Sequence, residues 1–146
     1  MKNEPLVIER TLNAPAQRVW KAITDPTDMK QWYFDLPGFK AEVGYECTMT
    51  KDKDGKIYKH LFKVTEVVPG KKLTYNWKYE GYPGNSFVTF ELIPEGNKTK
   101  LRLSHAGLET FPANEPDLQV KNFEEGWTDI IGRSLPGFLE KEAAHS

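Results

Sequence analysis

Several things are scarce in this 146-residue sequence, and each scarcity excludes something. There is one cysteine, Cys47, so no internal disulfide framework holds the chain, and a reducing compartment suits it. Charge of either sign is balanced, 20 Lys and Arg against 21 Asp and Glu for a net charge of -1. Without a basic stripe to grip a phosphate backbone, nucleic acid is not an expected partner. No apolar run is long enough to span a bilayer, and the opening Met-Lys-Asn-Glu-Pro lacks the apolar core of a signal peptide. A cytoplasmic protein with no membrane insertion is therefore expected. His, Cys, Asp and Glu nowhere fall at metal-ligand spacing, so neither metal nor cofactor is expected.

What is plentiful is aromatic surface: 12% of residues, including four tryptophans. Large rings fill a core or line a pocket, and the pattern along the chain must say which. Leu6, Ile8 and Leu12 alternate as a strand, with Arg10 falling in the same apolar phase. Pro15 suits the first residue of a helix carrying Val19, Trp20 and Ile23, and Asp25-Pro26 caps and opens a second helix ending at Trp32. Trp20 and Ile23 are assigned to packing of the first helix.

From Phe39 the odd positions Phe39, Ala41, Val43, Tyr45, Cys47 and Met49 share one face of an expected strand. Lys51 to Lys56, alternating in sign around Gly55, reads as a solvated hairpin tip. Lys56 to Val68 is the partner strand, with Tyr58, His60, Phe62 and Val64 on one side and Ile57, Leu61 and Val67 on the other, leaving its register open. Three further strands follow, carrying Leu73, Tyr75, Trp77 and Tyr79, then Val88, Phe90 and Leu92, then Leu101, Leu103 and His105. Short polar turns join them into an antiparallel meander. After a Pro-containing loop, Val120, Phe123, Trp127, Ile130, Ile131, Leu135 and Phe138 recur at helical spacing.

One domain over residues 1–146 is expected, with disordered tails at 1–4 and 142–146, the second containing His145. A twisted six-stranded sheet wraps around whatever covers it, and one helix touches its rims more easily than its floor. Gly126, Gly132 and Pro136 each weaken that helix, Pro136 by losing a backbone bond and crowding the carbonyl of Gly132. Either the helix bends around contents, or Pro136 starts a short final segment capped by Ser134.

The segment from Asn13-Ala-Pro-Ala-Gln-Arg-Val-Trp20 through Asp25-Pro26 to Gln31-Trp32 resembles the signature of the SRPBCC superfamily, the START and birch-allergen-like helix-grip proteins. Glu66 to Trp77, Thr99 to Gly107 and Gly126-Trp127 resemble the subgroup named for activators of the ATPase of the ninety-kilodalton heat-shock chaperone. The resemblance spans nearly the whole chain. It implies an α+β helix-grip fold of order β-α-α-β-β-β-β-β-α: a curved six-stranded antiparallel sheet, two short helices and a long C-terminal helix enclosing a hydrophobic cavity. Pro136-Gly137 inside the closing helix departs from that pattern and bears on the cavity wall.

The candidate ligand-binding set is Trp32, Phe34, Phe62, Trp77, Tyr79, Phe90, His105, Phe123, Trp127, Ile130 and Ile131. Stacking rings and one tyrosine hydroxyl suit a planar or lipid-like molecule. For any single member, ordinary core packing is the plainer account. His105 shares phase with Leu101 and Leu103 and His60 with Phe62, and their orientation is left open between a polar contact or acid/base group in the cavity and a hydrogen-bonded buried or rim residue. Cys47 has no neighbouring base and reads as a small buried residue. Arg10 and Glu66 require partners or solvent, since an unpaired buried charge is costly.

Three functions compete. The preferred one is non-catalytic binding of a small hydrophobic or aromatic molecule, lipid-like, polyphenol-like or polyketide-like. The second is a cofactor-free cyclase or hydrolase using the same cavity, with His105 or a tyrosine as acid/base. The third, a chaperone ATPase co-factor with a role in stress response, needs an exposed docking surface and would be expected to carry an additional N-terminal domain; it ranks last.

Overall fold

The computed structural model describes residues 5–53, 55–112 and 114–144. The expected tail at 1–4 and the last two residues of the one expected at 142–146, with His145, lie outside them. Strands β1 (Leu6–Leu12), β2 (Glu46–Lys53), β3 (Lys56–Val68), β4 (Lys72–Tyr79), β5 (Ser86–Glu95) and β6 (Lys98–Ala106) form one antiparallel sheet ordered β1-β6-β5-β4-β3-β2. Helices α1 (Ala16–Thr24) and α2 (Pro26–Trp32) carry the chain from one edge strand to the other. A last helical run over residues 120–144 crosses the concave face. This is the α+β helix-grip architecture.

Local chemistry explains the opening turn. Pro15 is the N-cap of α1, one residue before the helix, and its carbonyl accepts from the backbone N–H groups of Arg18 and Val19. Asp25 ends α1 and caps α2, its carboxylate accepting from the Thr27 N–H at 2.9 Å. Buried Asp28 then ties the two helices together, with Arg18 at 2.9 Å and Lys21 at 3.4 Å. A charge there is tolerable because two cations share it.

The strand expected from Phe39 begins only at Glu46. Gly38 and Gly44 adopt positive φ, and two turns closed by Phe39 N–H to Leu36 and Tyr45 N–H to Glu42 occupy the segment instead. The apolar alternation there is coincidental: Phe39 is buried while Val43 is 66% exposed. The Lys51–Lys56 hairpin is present, with Lys53 opposite Lys56. β3 turns Tyr58, His60, Phe62 and Val64 inward, and a bulge between Val64 and Glu66 shifts the register beyond them. Glu66 is thereby delivered to the surface, where it meets Lys72 at 3.2 Å. Arg10 also reaches solvent, passing beside Gly132 of the closing helix.

Inward residues of β3 to β6 form a continuous apolar floor that includes Leu73, Tyr75, Trp77, Val88, Phe90, Leu101 and Leu103, all buried. The cover consists of α3 (Val120–Asp129), a π-helical segment (Ile130–Ser134) and α4 (Leu135–Ala144). Leu135 N–H donates to Ile130, five residues back. That wider turn sits immediately before Pro136, which has no N–H to continue the ordinary ladder. So Pro136 neither ends the helix nor starts a segment capped by Ser134, and helix extends to Ala144, into the tail expected to be disordered from 142. Val120, expected on the apolar stripe, is 48% exposed in the first position of α3.

Candidate functional site

The space between floor and cover is mostly filled by rings. Phe34, leaving α2, stacks on Tyr33 with centroids 4.4 Å apart and on Phe62 at 6.1 Å. Trp77 meets Phe62 edge-on at 5.1 Å and Trp127 at 5.8 Å. Such edge and offset contacts each contribute about 0.5–1.5 kcal/mol beyond their buried area. What remains open is a pair of small clefts. The inner one, about 150 Å³, lies between Phe34, His60 and Trp77 on one side and Asn122, Phe123, Gly126, Trp127 and Ile130 of the cover on the other. The outer one, about 110 Å³, is lined by Tyr58, Tyr79, Asp117 and Leu118. Lys51 and His60 border both clefts.

A larger depression of about 610 Å³ lies on the other side of α3, between Arg10, Arg133 and the carboxylates of Glu124, Glu125 and Asp129. It is open to solvent, and its lining is largely ionic. The weak Asp129–Arg133 pair, 3.5 Å apart and exposed, is on its rim. Nothing there concentrates apolar contact, so the aromatic clefts are the candidate site despite their smaller size.

His105 does not border either cleft. It is fully buried, and its two ring nitrogens are both occupied. The indole N–H of Trp127 donates to Nδ1 at 3.0 Å, which fixes the tautomer with hydrogen on Nε2. Nε2 then donates to the Ser86 hydroxyl at 2.8 Å, and Ser86 donates to the Trp77 carbonyl at 2.7 Å. Every donor in the chain points the same way. Burial pushes the His105 pKa down to about 3, keeping the ring neutral. This histidine pins β5, β6 and α3 together.

His60 is different. Burial lowers its pKa to about 4; the backbone carbonyls of Tyr58 and Met49 near the ring offset part of that, and the charge of Lys51 adds a smaller lowering. Its Nδ1 has no hydrogen-bond partner among the described residues, and neither has the indole N–H of Trp77. The Tyr79 hydroxyl lies toward that N–H without completing a bond. His60 and Trp77 are 5% and 4% exposed, and both border the inner cleft. Unmet buried donors and acceptors cost about 1–3 kcal/mol each.

Of the sequence-derived set, Phe34, Trp77, Phe123, Trp127 and Ile130 converge on the inner cleft and Tyr79 on the outer one. Trp32, Phe62, Phe90, His105 and Ile131 belong to the core instead. Trp32 donates its N–H to the Ala22 carbonyl at 2.9 Å and closes α2 onto α1. Phe62, Phe90 and Ile131 share the right face but lie beneath neighbouring rings, so phase alone could not separate wall from floor. Sequence reasoning passed over Lys51, Tyr58, Asp117 and Asn122. The alternating charge of the hairpin disguised Lys51; Tyr58 shared the inward phase of β3 and was the one readable signal. Tyr58 donates to Asp117 at 2.7 Å, fastening the loop before α3 across the outer cleft. A buried Tyr33–Tyr75 hydroxyl pair, also missed, connects α2 to the floor. Half-buried Cys47 has its thiol pushed up to about 11 by burial, which suits packing and not nucleophilic attack.

Residues 13–140 match the model of a family described as Activator of Hsp90 ATPase homolog 1-like protein. Among solved structures, DynU16, a protein in the dynemicin biosynthetic locus, is 25% identical with a TM-score of 0.75, over 94% of this chain and 48% of that one. The chain thus spans about half the length of DynU16. CalU16 from Micromonospora echinospora is 27% identical with a TM-score of 0.70, over 97% of this chain and 79% of that one. Mll3558 from Rhizobium loti shares the fold at a TM-score of 0.80 and 22% identity, over 93% of this chain and 96% of that one. No curated protein matches the chain.

Proposed function

From the premise that the chain belongs to the family of Activator of Hsp90 ATPase homolog 1-like proteins, within the SRPBCC superfamily, we propose that it binds a small aromatic molecule between its sheet and α3 and does not transform it. The observation that carries this reading is the inner cleft itself. Four of its walls are aromatic rings, from Phe34, Trp77, Phe123 and Trp127, and two of its lining residues hold unmet polar atoms. A bound molecule would replace a poorly filled gap with ring contacts and satisfy one or both of those atoms. Likeness to DynU16, a protein in a biosynthetic locus, supports a ligand-holding role.

Binding is favoured over catalysis because the groups that would move protons are spent or neutral. His105 has no free nitrogen, and the one carboxylate that shares the outer cleft with His60 among the described residues, Asp117, already accepts from the Tyr58 hydroxyl at 2.7 Å. General acid/base work needs a group that exchanges its proton near working pH. A chaperone-activating role would need a docking surface, for which no feature of the clefts argues.

Trp77 and Trp127 border the cleft, so a ligand must alter indole emission. Fluorescence titration with single-ring phenols, flavonoids, fatty acids and sterols is expected to give saturable quenching with aromatic members. Native mass spectrometry of the purified protein should show the corresponding adduct mass. If no member of the panel quenches saturably and no adduct is seen, the proposal fails.

A further inference from the structure

The inner and outer clefts meet at two residues, Lys51 from β2 and His60 from β3. The Lys51 ammonium lies 5.9 Å from the Phe34 ring centre, at the exposed mouth of the aromatic cleft. Among the described residues no carboxylate forms an ion pair with it, as none does with Lys63, Lys78 or Lys98, whereas Lys56, Lys59, Lys72 and Lys100 each have one. Lys51 is also the one ionic side chain among those bordering the inner cleft. Asp117, across the outer cleft, already accepts from the Tyr58 hydroxyl.

Size restricts what can enter. An apolar space of about 150 Å³ accommodates one benzene-sized ring, and a fused polycycle or sterol would require the cover to separate from the floor. Polarity restricts it further. The Trp77 N–H can only donate, and Lys51 can only donate and is positive. A ligand with a hydrogen-bond acceptor and negative charge at one end of a single ring meets both, whereas an amine would confront Lys51 directly.

We infer that the ligand is a single-ring aromatic acid, its ring held between Phe34, Trp77, Phe123 and Trp127 and its anionic end at the junction of Lys51 and His60. This inference rests on the binding role proposed above and adds the class of molecule. A carboxylate there gains a charge-assisted hydrogen bond at the rim while the ring remains in the dry part of the cleft. The exposed position of Lys51 makes its contribution dependent on salt.

Calorimetric titration with benzoate, benzyl alcohol and benzylamine at low and high salt is the test. Benzoate is expected to bind about fivefold more tightly than benzyl alcohol, benzylamine more weakly than either, and benzoate affinity to fall as salt rises. Lys51→Gln should weaken benzoate about three- to fivefold and leave benzyl alcohol within about twofold, with Lys51→Arg restoring benzoate. Since Lys51 is exposed, these variants leave the core untouched; the salt series on the unaltered protein is independent of them in any case. If benzoate and benzyl alcohol bind equally and salt has no effect, the acid assignment is overturned while aromatic binding stands. If none of the three binds but larger aromatics quench the tryptophans, the single-ring limit is overturned. If nothing aromatic binds at all, both readings fall together.

Discussion

Acidification should destabilise this protein through two buried histidines, and the size of the effect follows from their surroundings. His60 titrates in the folded chain near 4 and His105 near 3, both lowered from 6.5 chiefly by burial. Above about pH 6.5 the rings are neutral in folded and unfolded chains alike, and they add no pH dependence. Below it, the unfolded chain takes up protons that the buried rings refuse. Stability therefore falls by about 1.4 kcal/mol per pH unit for each histidine until the pH reaches its folded value. Between about pH 7 and 4.5 that amounts to roughly 2.5 kcal/mol each, or about 5 kcal/mol together, against a typical total stability of about 5–15 kcal/mol. Urea unfolding at several pH values measures the loss. In His60→Phe, which places another ring in an aromatic surround, about half of it should vanish. Nitrogen chemical shifts should show His105 as the Nε2–H tautomer, not titrating down to about pH 4.5. Either histidine titrating near 6.5 in the folded protein, or His60→Phe retaining the full acid slope, would refute the reasoning.

Ser86→Ala leaves the His105 Nε2–H without its acceptor in a buried site; a loss of about 1–3 kcal/mol in chemical denaturation is expected, with no large change in the near-neutral pH slope. Trp127→Phe removes the donor to Nδ1 and some volume, and should cost about 2–4 kcal/mol while freeing the His105 tautomer in the nitrogen spectrum. Gly107→Ala should lower the melting temperature sharply, because φ there is +86° and the added Cβ would lie 2.5 Å from the Asn85 carbonyl oxygen. Gly126→Ala should do the opposite and stabilise α3 by up to about 1 kcal/mol, since a Cβ there meets nothing within 4 Å.

Strand and helix order was legible from period and punctuation wherever one side of an element faces the core. β4 is the clearest case: Leu73, Tyr75, Trp77 and Tyr79 alternate without interruption and are all buried. Asp25-Pro26 signalled the junction of α1 and α2 because capping is a local matter, decided by a side chain reaching its own neighbours. Segment 39–45 misled because alternation is equally possible in a loop, and only the two positive-φ glycines reveal the turns. Pro136 resisted reading for a related reason. Its effect on a helix depends on whether the backbone can widen by one residue before it, and packing of Ile131 and Leu135, both fully buried, holds the segment in place.

The candidate site divides in the same way. Within β4, β5 and β6 sequence determined which residues share the inward face, since a strand's side chains alternate whatever their neighbours are. It could not determine depth. Phe90 and Trp77 share the same inward orientation on adjacent strands, yet one is sealed beneath Tyr33 and Trp127 and the other borders open space. Nor could it separate His105 from His60, identical in phase and alike in burial. One became a fully satisfied tie because Trp127 and Ser86, 22 and 19 residues away, were brought to its two nitrogens. The other was left with an unmet nitrogen beside a lysine from the opposite arm of a hairpin. The hydrogen bonds of His105 and the clefts are made between segments, so they exist only once the chain has closed on itself.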